Sequence, residues 1–382
     1  MNTNRRRWRG HACGLSGVNA ALAGAAMILA LTCSDSRAQA SLTPPGAPAP
    51  TLRTLDQVEP RSPISGAGVI TQPGSYYLTG NIVTAGHGIT IRTNNVTLDL
   101  MGFCLAGDRG GSDYGIYVDG NVGMVRSGIC IRNGTVTGFG KGVRLEYAET
   151  CLLDSLTSVS NLAEGVLFYG ANGGTCRGHL MQRCVAARNG YGITLDASNG
   201  GRCEGIRIVS CTVEENGAQG VVLNGNGGVC CYNQIVSSMI RGNARSVNTD
   251  AIAVEGPHGG LCCGNMISGC TIVGPAVCAV RLYGTDGECS GNVVENNRII
   301  RTQGNVFAQT APRNVIVGNM LSETGISAST DSIDTFVLNN LVVEKSPGFS
   351  LGANQVYGPV VTASGALSTN GVAAHPWANF QR

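Results

Sequence analysis

Two carboxylates and two basic groups stand at matching places in a recurring five-residue run. Asp119 closes the run from Gly115, Glu146 closes the run from Gly142, Arg144 lies inside the second run, and Lys141 precedes it directly. A carboxylate pair can move protons or hold a cation, and a lysine and an arginine this close can accept a proton or neutralise an anion. The same end position reads Arg92, Asp119, Glu146, Tyr169, Asp196, Asn224, Glu255 and Tyr283 along the chain. Two residues earlier the position reads Thr90, Tyr117, Arg144, Leu167, Thr194, Val222, Ala253 and Arg281. Carboxylates, arginines and tyrosines gathered along one groove suit a polysaccharide, with sugar rings on the aromatic faces and carboxylates available for acid–base work. The same pattern also describes a solvated face whose opposite charges steady adjacent strands.

These positions can meet only if the chain stacks its repeats. The five-residue runs start at Gly88, Gly115, Gly142, Gly165, Gly192, Gly220, Ala251 and Ala279. Gly-Gly-x-Cys ends at Cys176, Cys203, Cys230 and Cys262, in steps of 27, 27 and 32 residues, and Gly-Glu-Cys follows at Cys289. Self-similarity at a fixed period marks a solenoid. Within each run the second and fourth residues are apolar, from Ile89 and Ile91 to Val280 and Leu282. Alternation with period two points them inward from a strand and leaves their neighbours outside. About three short strands fit a 27-residue period, so the expected fold is all-β, a single-stranded parallel β-helix of about nine coils. An asparagine recurs at Asn161, Asn189, Asn216 and Asn243; stacked in one turn, it is expected to take the left-handed conformation and chain its amide to the next coil. Gly-Gly before each cysteine is expected to allow positive φ.

The remaining segments frame the coils. Arg5, Arg6, Arg7 and Arg9, the apolar run Ala20 to Thr32 and Ala38-Gln39-Ala40 make residues 1–40 an expected export signal, too short to span a membrane. Residues 41–54 hold four prolines and read as a flexible linker, 55–86 as an N-terminal cap, 87–345 as the β-helix and 346–382 as an irregular C-terminal tail in which Trp377 and Phe380 could plug the last coil. Without the first forty residues, 21 basic and 23 acidic side chains remain, with no basic run to hold nucleic acid. The protein is expected in the periplasm or outside the cell, with no transmembrane anchor. Fourteen of the 16 cysteines follow the leader; neighbouring coils lie close enough for disulfides, and a column of packed thiols is equally admissible. No Cys-x-x-Cys occurs, so no metal site is expected.

The coils resemble the right-handed parallel β-helix repeats of the pectate-lyase-like superfamily. Ile70 to Asn81 and Asn95-Val96-Thr97-Leu98-Asp99-Leu100-Met101-Gly102-Phe103 resemble the entry segment of a group of secreted bacterial β-helix repeat proteins. The resemblance implies two catalytic possibilities. Some lyases of the superfamily use paired basic residues and others an arginine with calcium held by carboxylates, for which Lys141, Arg144, Glu146 and Asp119 are the candidates. Asn248-Thr249-Asp250 is similar to the first motif of the polygalacturonase-type hydrolases, but no Asp-Asp pair exists and Cys278 stands one coil after Asp250. His258 sits where other repeats carry Asn199 or Asn226, as turn chemistry. The candidate substrate contacts are Tyr117, Tyr169, Thr194, Asp196, Asp250, Glu255, Arg281 and Tyr283. Two functions follow: a non-catalytic exported β-helix that binds a polysaccharide or cell-surface glycan or serves the envelope, with no cofactor required; or a lyase or hydrolase on an acidic polysaccharide, with Ca2+ admissible.

Overall fold

The computed structural model describes residues 60–246, 249–362 and 371–382. The export signal, the linker and Asn248 lie outside the described residues. Those described belong to one compact unit, Thr54–Arg382, and it is a right-handed parallel β-helix. Short strands of mostly three to six residues stack in register, each on its counterpart in the coil before. One side of the coil is a twelve-stranded sheet running from Gly68–Ile70 to Phe349–Leu351. The second side is a larger sheet, and the third a seven-stranded sheet from Arg126–Ser127 to Glu288–Ser290.

The inward pairs behave as their alternation requires. Ile116, Val118, Val143, Leu145, Ile193, Leu195, Ile252 and Val254 are fully buried, and each lies over its equivalent, as in Val143↔Val166 and Ile193↔Val221. The stack is longer at both ends than the repeat suggested. Twelve strands stack in the first sheet, not about nine, which at the usual spacing of roughly 4.8 Å makes a stack on the order of 50 Å. The entry segment is built into the coil: Gly68–Ile70 pairs with Ile89–Ile91, and Gly74–Leu78 with Val96–Asp99. At the far end Asn379–Gln381 adds a strand beside Leu341–Val343. Trp377 is exposed and plugs nothing.

Three buried asparagine ladders hold the turns. In the first, the Asn161, Asn189 and Asn216 backbone N–H groups donate to the side-chain oxygens of Asn189, Asn216 and Asn243 at 2.9, 2.9 and 3.2 Å. A second ladder runs Asn233, Asn265, Asn292, Asn314, and a third Asn297, Asn319, Asn340, Asn379. The left-handed residue is not the asparagine but the one before it, as at Ser160, Arg188, Glu215 and Gly242. That kink turns the asparagine side chain inward along the stack. The glycine pairs divide their work. The first of each, Gly173, Gly200, Gly227 and Gly259, has positive φ. A side chain on the second would strike the coil before, at Tyr147 for Gly174, Gly170 for Gly201, Ala197 for Gly228 and Gly225 for Gly260.

All fourteen described cysteines are free thiols, so the packed column stands in place of cross-coil disulfides. Cys176, Cys203 and Cys230 lie in direct register, as do Cys262 and Cys289, and all five are fully buried. Their sulfurs face the core and donate to carbonyls of the coil, as Cys262 Sγ does to Glu255 O at 3.1 Å. Burial pushes the Cys151 thiol up to about 12 and Cys270 to about 11, which keeps both protonated and unreactive.

Candidate functional site

The outward face of the twelve-stranded sheet carries nearly every candidate. Parallel stacking in register converts equal places in the repeat into columns. Asp119, Glu146, Tyr169, Asp196, Asn224, Glu255 and Tyr283 form one unbroken column, and Tyr117, Arg144, Leu167, Thr194, Val222, Ala253 and Arg281 another. A third column is not apparent from the runs alone. It holds Tyr114, Lys141, Glu164 and Tyr191 in register, and His87 stacks on Tyr114 at 4.9 Å. The signal was present: each of these residues directly precedes the glycine that opens its run.

The four catalytic candidates are consumed by one another and by neighbours. Arg92 Nε donates to Asp119 Oδ2 at 2.6 Å, and Lys141 Nζ to Glu164 Oε2 at 2.5 Å. Arg144 reaches Glu146 Oε1 at 3.0 Å and the Tyr114 hydroxyl at 3.2 Å, and its guanidinium lies 4.2 Å from the Tyr169 ring centroid. Burial works against the charge on Arg144, but Glu146 and Tyr114 beside it hold its pKa above the usual arginine value. The Tyr117 hydroxyl donates to Glu146 Oε2 in a short hydrogen bond, and burial followed by that bond raises its pKa. Both basic groups, Lys141 and Arg144, thus have a carboxylate partner within ion-pair distance. Among the described residues no group of three or more His, Cys, Asp or Glu is placed around a common point.

At the other end, Arg281 Nη1 lies 3.8 Å from Asp250 Oδ2, donates through Nη2 to Gln309 Oε1 at 3.2 Å, and stacks 4.5 Å from the Tyr283 ring centroid. Asp250 is almost fully buried, and burial raises its pKa against the pull of Arg281. The position one coil later is Cys278, as the repeat implied, and Asp250 contacts it. His258 Nδ1 lies 3.0 Å from Asn226 Oδ1, in a turn column that Asn172 and Asn199 share.

Between the two clusters opens a groove of about 360 Å³, lined by Glu164, Tyr191, Thr194, Asp196, Asn224 and Glu255 among others. Here the face changes character. The four nearby cations, Arg92, Lys141, Arg144 and Arg281, are each paired with a carboxylate. Asp196 and Glu255 have no ion-pair partner among the described residues. Asp196 Oδ1 accepts from Ser198 N and Asn224 Nδ2, both at 3.1 Å. The Thr194 hydroxyl is buried with no hydrogen-bond partner. Burial raises the Glu255 pKa, opposed by Arg281 and reinforced by Asp250.

That shift has a thermodynamic signature. A carboxyl whose folded pKa is raised binds more protons when folded, so its contribution falls as pH climbs through the ordinary carboxylate value of about 4 and up to its folded value. Glu255→Gln removes the penalty. The melting temperature of the variant relative to wild type is expected to rise as the pH climbs above about 4 and to level off above the folded pKa of Glu255. A flat or falling difference in a thermal-melt series would show that Glu255 is not strained by burial.

No protein-family model and no curated protein matches the sequence. Solved structures do match. The A-module of the Azotobacter vinelandii mannuronan C-5 epimerase AlgE4 superposes with a TM-score of 0.61 at 15% identity, covering 78% of this chain and 89% of that one. An alginate lyase from Paenibacillus sp. str. FPU-7 covers 78% of this chain and 99% of its own at 14% identity, with a TM-score of 0.47. Pectate lyase Pel9A covers 75% and 70% at 15% identity, also with a TM-score of 0.47. At these identities the likeness shows the fold, and the class it defines is the right-handed parallel β-helix.

Proposed function

We propose that the protein is an exported glycan-binding β-helix whose binding site is the groove over Tyr191, Thr194, Asp196 and Glu255. One observation carries the reading: a half-exposed tyrosine ring, a buried hydroxyl without a hydrogen-bond partner and two carboxylates with no ion pair among the described residues converge on one cavity. Ligand sites combine an aromatic or apolar wall with a few convergent polar groups that fix orientation. The fold is shared with a mannuronan-acting epimerase module, which supports a sugar as the occupant, and the basic, apolar leader supports export. The charge of the groove favours neutral or amino sugars over polyuronates, since no cation there is free to meet a uronate.

Calorimetric titration of the full chain with chitotetraose, cellotetraose, a chitosan tetramer and tetragalacturonate tests this. Thr194→Val removes the unpartnered hydroxyl at nearly constant shape. It should leave the melting temperature unchanged or higher while weakening neutral-sugar binding roughly three- to tenfold, the worth of one hydrogen bond. Tetragalacturonate as the best ligand would overturn the assignment of charge. A second reading has its own observation. Asp196 and Glu255 stand in one column two coils apart, roughly 9–10 Å at the backbone, near the carboxyl separation of inverting glycoside hydrolases. Glu255, whose pKa burial raises, would then be the acid and Asp196 the base that activates water. Release of reducing ends that Glu255→Gln abolishes without loss of binding would establish it; binding without turnover keeps the protein a binding module.

A further inference from the structure

The corner residue that follows each strand of the seven-stranded sheet has left-handed backbone. Gly128, Gly178, Gly205, Gly264 and Gly291 stand in this column with φ of 66°, 66°, 64°, 61° and 64°, and Thr150 stands in it with φ 51°. Tyr232 sits among them at φ 59°. Left-handed non-glycine corners recur throughout the coil, as at Tyr147, Thr150 and Arg188, so the backbone marks a corner; what distinguishes Tyr232 is a large ring carried on the outside of it. Tyr232 also gains little from packing, because 63% of it is exposed. Its ring lies against Gly264, where an added Cβ would come within 2.7 Å of Cδ1, so glycine at 264 is what allows the ring to lie flat. On the other side Gly205 has open space above it, the nearest atom to an added Cβ being 3.9 Å away.

The outcome is a shallow trough of about 490 Å³ floored by Gly178 and Gly205, with Tyr232 at one end and Thr150 at the other. Three coils separate those ends, roughly 14 Å. Its sides are polar and held in place: Arg177 Nε lies 2.9 Å from Glu149 Oε1, and Arg202 Nη2 lies 2.7 Å from Glu204 Oε1. Both arginines stay more than half exposed, so their remaining N–H groups can still donate outward. None of these residues lines the groove on the twelve-stranded sheet.

We propose that this trough is a second sugar-binding site, independent of the groove. It takes a pyranose of one or two rings whose flat C–H face lies on Tyr232 and whose hydroxyls meet Glu204 and Arg177. A neutral hexose or N-acetylhexosamine fits, because each charge on the rim is already balanced by its partner. Tyr232 is the aromatic residue among those lining the trough, so it is the side chain that offers a ring there.

The test uses the full chain with chitotetraose and cellotetraose as probes, followed by calorimetry and ligand-observed NMR. Tyr191→Ala empties the groove, and Tyr232→Gly is then added. Glycine prefers this backbone conformation, so the second substitution should hold or raise the melting temperature while reducing the remaining sugar binding at least tenfold. In the otherwise wild-type chain it should remove one binding event and leave the other. The proposal is overturned if Tyr191→Ala alone abolishes all binding, or if residual binding survives Tyr232→Gly. It is equally overturned if the only effect of Tyr232→Gly is faster reaction of Cys231 and Cys263 with a thiol reagent, since the phenol contacts Cys263 and would then be a cover for those thiols. Absence of groove binding with Tyr232-dependent binding intact would sink the groove and spare the trough.

Discussion

Asn216→Leu is expected to destabilise the protein by about 3–6 kcal/mol, the summed cost of several buried polar groups left without partners. Asn216 is fully buried at the centre of the first ladder. Its side-chain oxygen accepts from Asn189 N at 2.9 Å and from Asn189 Nδ2 at 3.3 Å; its own amide donates to Ala186 O at 3.1 Å and to Asn243 Oδ1 at 2.8 Å. Leucine has similar bulk but satisfies none of these groups, and no water reaches them. The damage should pass to the coils on both sides, because each asparagine supports the backbone of the one before. A ladder end provides the internal control. Asn243 closes the ladder: its oxygen accepts from Asn216 N at 3.2 Å and Asn216 Nδ2 at 2.8 Å and its amide donates to Val213 O at 3.0 Å, one bond fewer than at Asn216, so Asn243→Leu should cost less than Asn216→Leu. Urea unfolding of the two variants checks the ranking. Equal costs, or a central cost below about 1.5 kcal/mol, would mean that the ladder accompanies the fold without holding it.

Gly260→Ala should prevent folding or cost more than about 3 kcal/mol, whereas Gly259→Ala next to it should cost only about 1–2 kcal/mol. The two glycines are needed for different reasons. At Gly259 the backbone has φ of 76° and the space around a Cβ is empty, so alanine meets only the left-handed penalty, and Gly259→Asn should meet less of it. At Gly260 a Cβ would run into the Gly225 carbonyl of the preceding coil. No rotation moves a Cβ away from backbone, so two coils would have to part, breaking ladder hydrogen bonds and opening the core above Cys262. The consequence reaches the groove, because Pro257 in the same turn forms part of its wall. Circular dichroism, urea unfolding and sugar binding read all three effects. A folded Gly260→Ala variant with wild-type stability would refute the close approach of successive turns.

How far the sequence reaches depends on direction. Along the stack it is nearly complete. A parallel coil in register maps a fixed offset in sequence onto one step in space, so the columns from Asp119 to Tyr283 and from Tyr117 to Arg281 were readable from the runs, as was the neighbourhood of Asp250 and Cys278. The inward pairs were readable for the same reason. The ends were not: Gly68–Ile70 and Phe349–Leu351 stack like the others without sharing the repeat's glycine and cysteine marks, because an end coil needs only hydrogen bonds on one side and is released from the pattern.

Around the coil, the sequence is silent on choice. Lys141 could have met Tyr114 or Glu164 on either flank and takes Glu164; Arg144 turns along its own strand to Glu146 and lies over Tyr169. Each choice depends on which partner is nearer and how much water the site excludes, both of which vary with the bend of every turn. These choices moved the chemistry. With Lys141, Arg144 and Arg92 satisfied, the groove carboxylates without an ion pair among the described residues are Asp196 and Glu255, two and four coils beyond Glu146. Periodicity alone thus determined which residues are neighbours. Only the packed structure decided which of them remain free to bind, because residual charge and unmet hydrogen bonds are what is left after local partners have been taken.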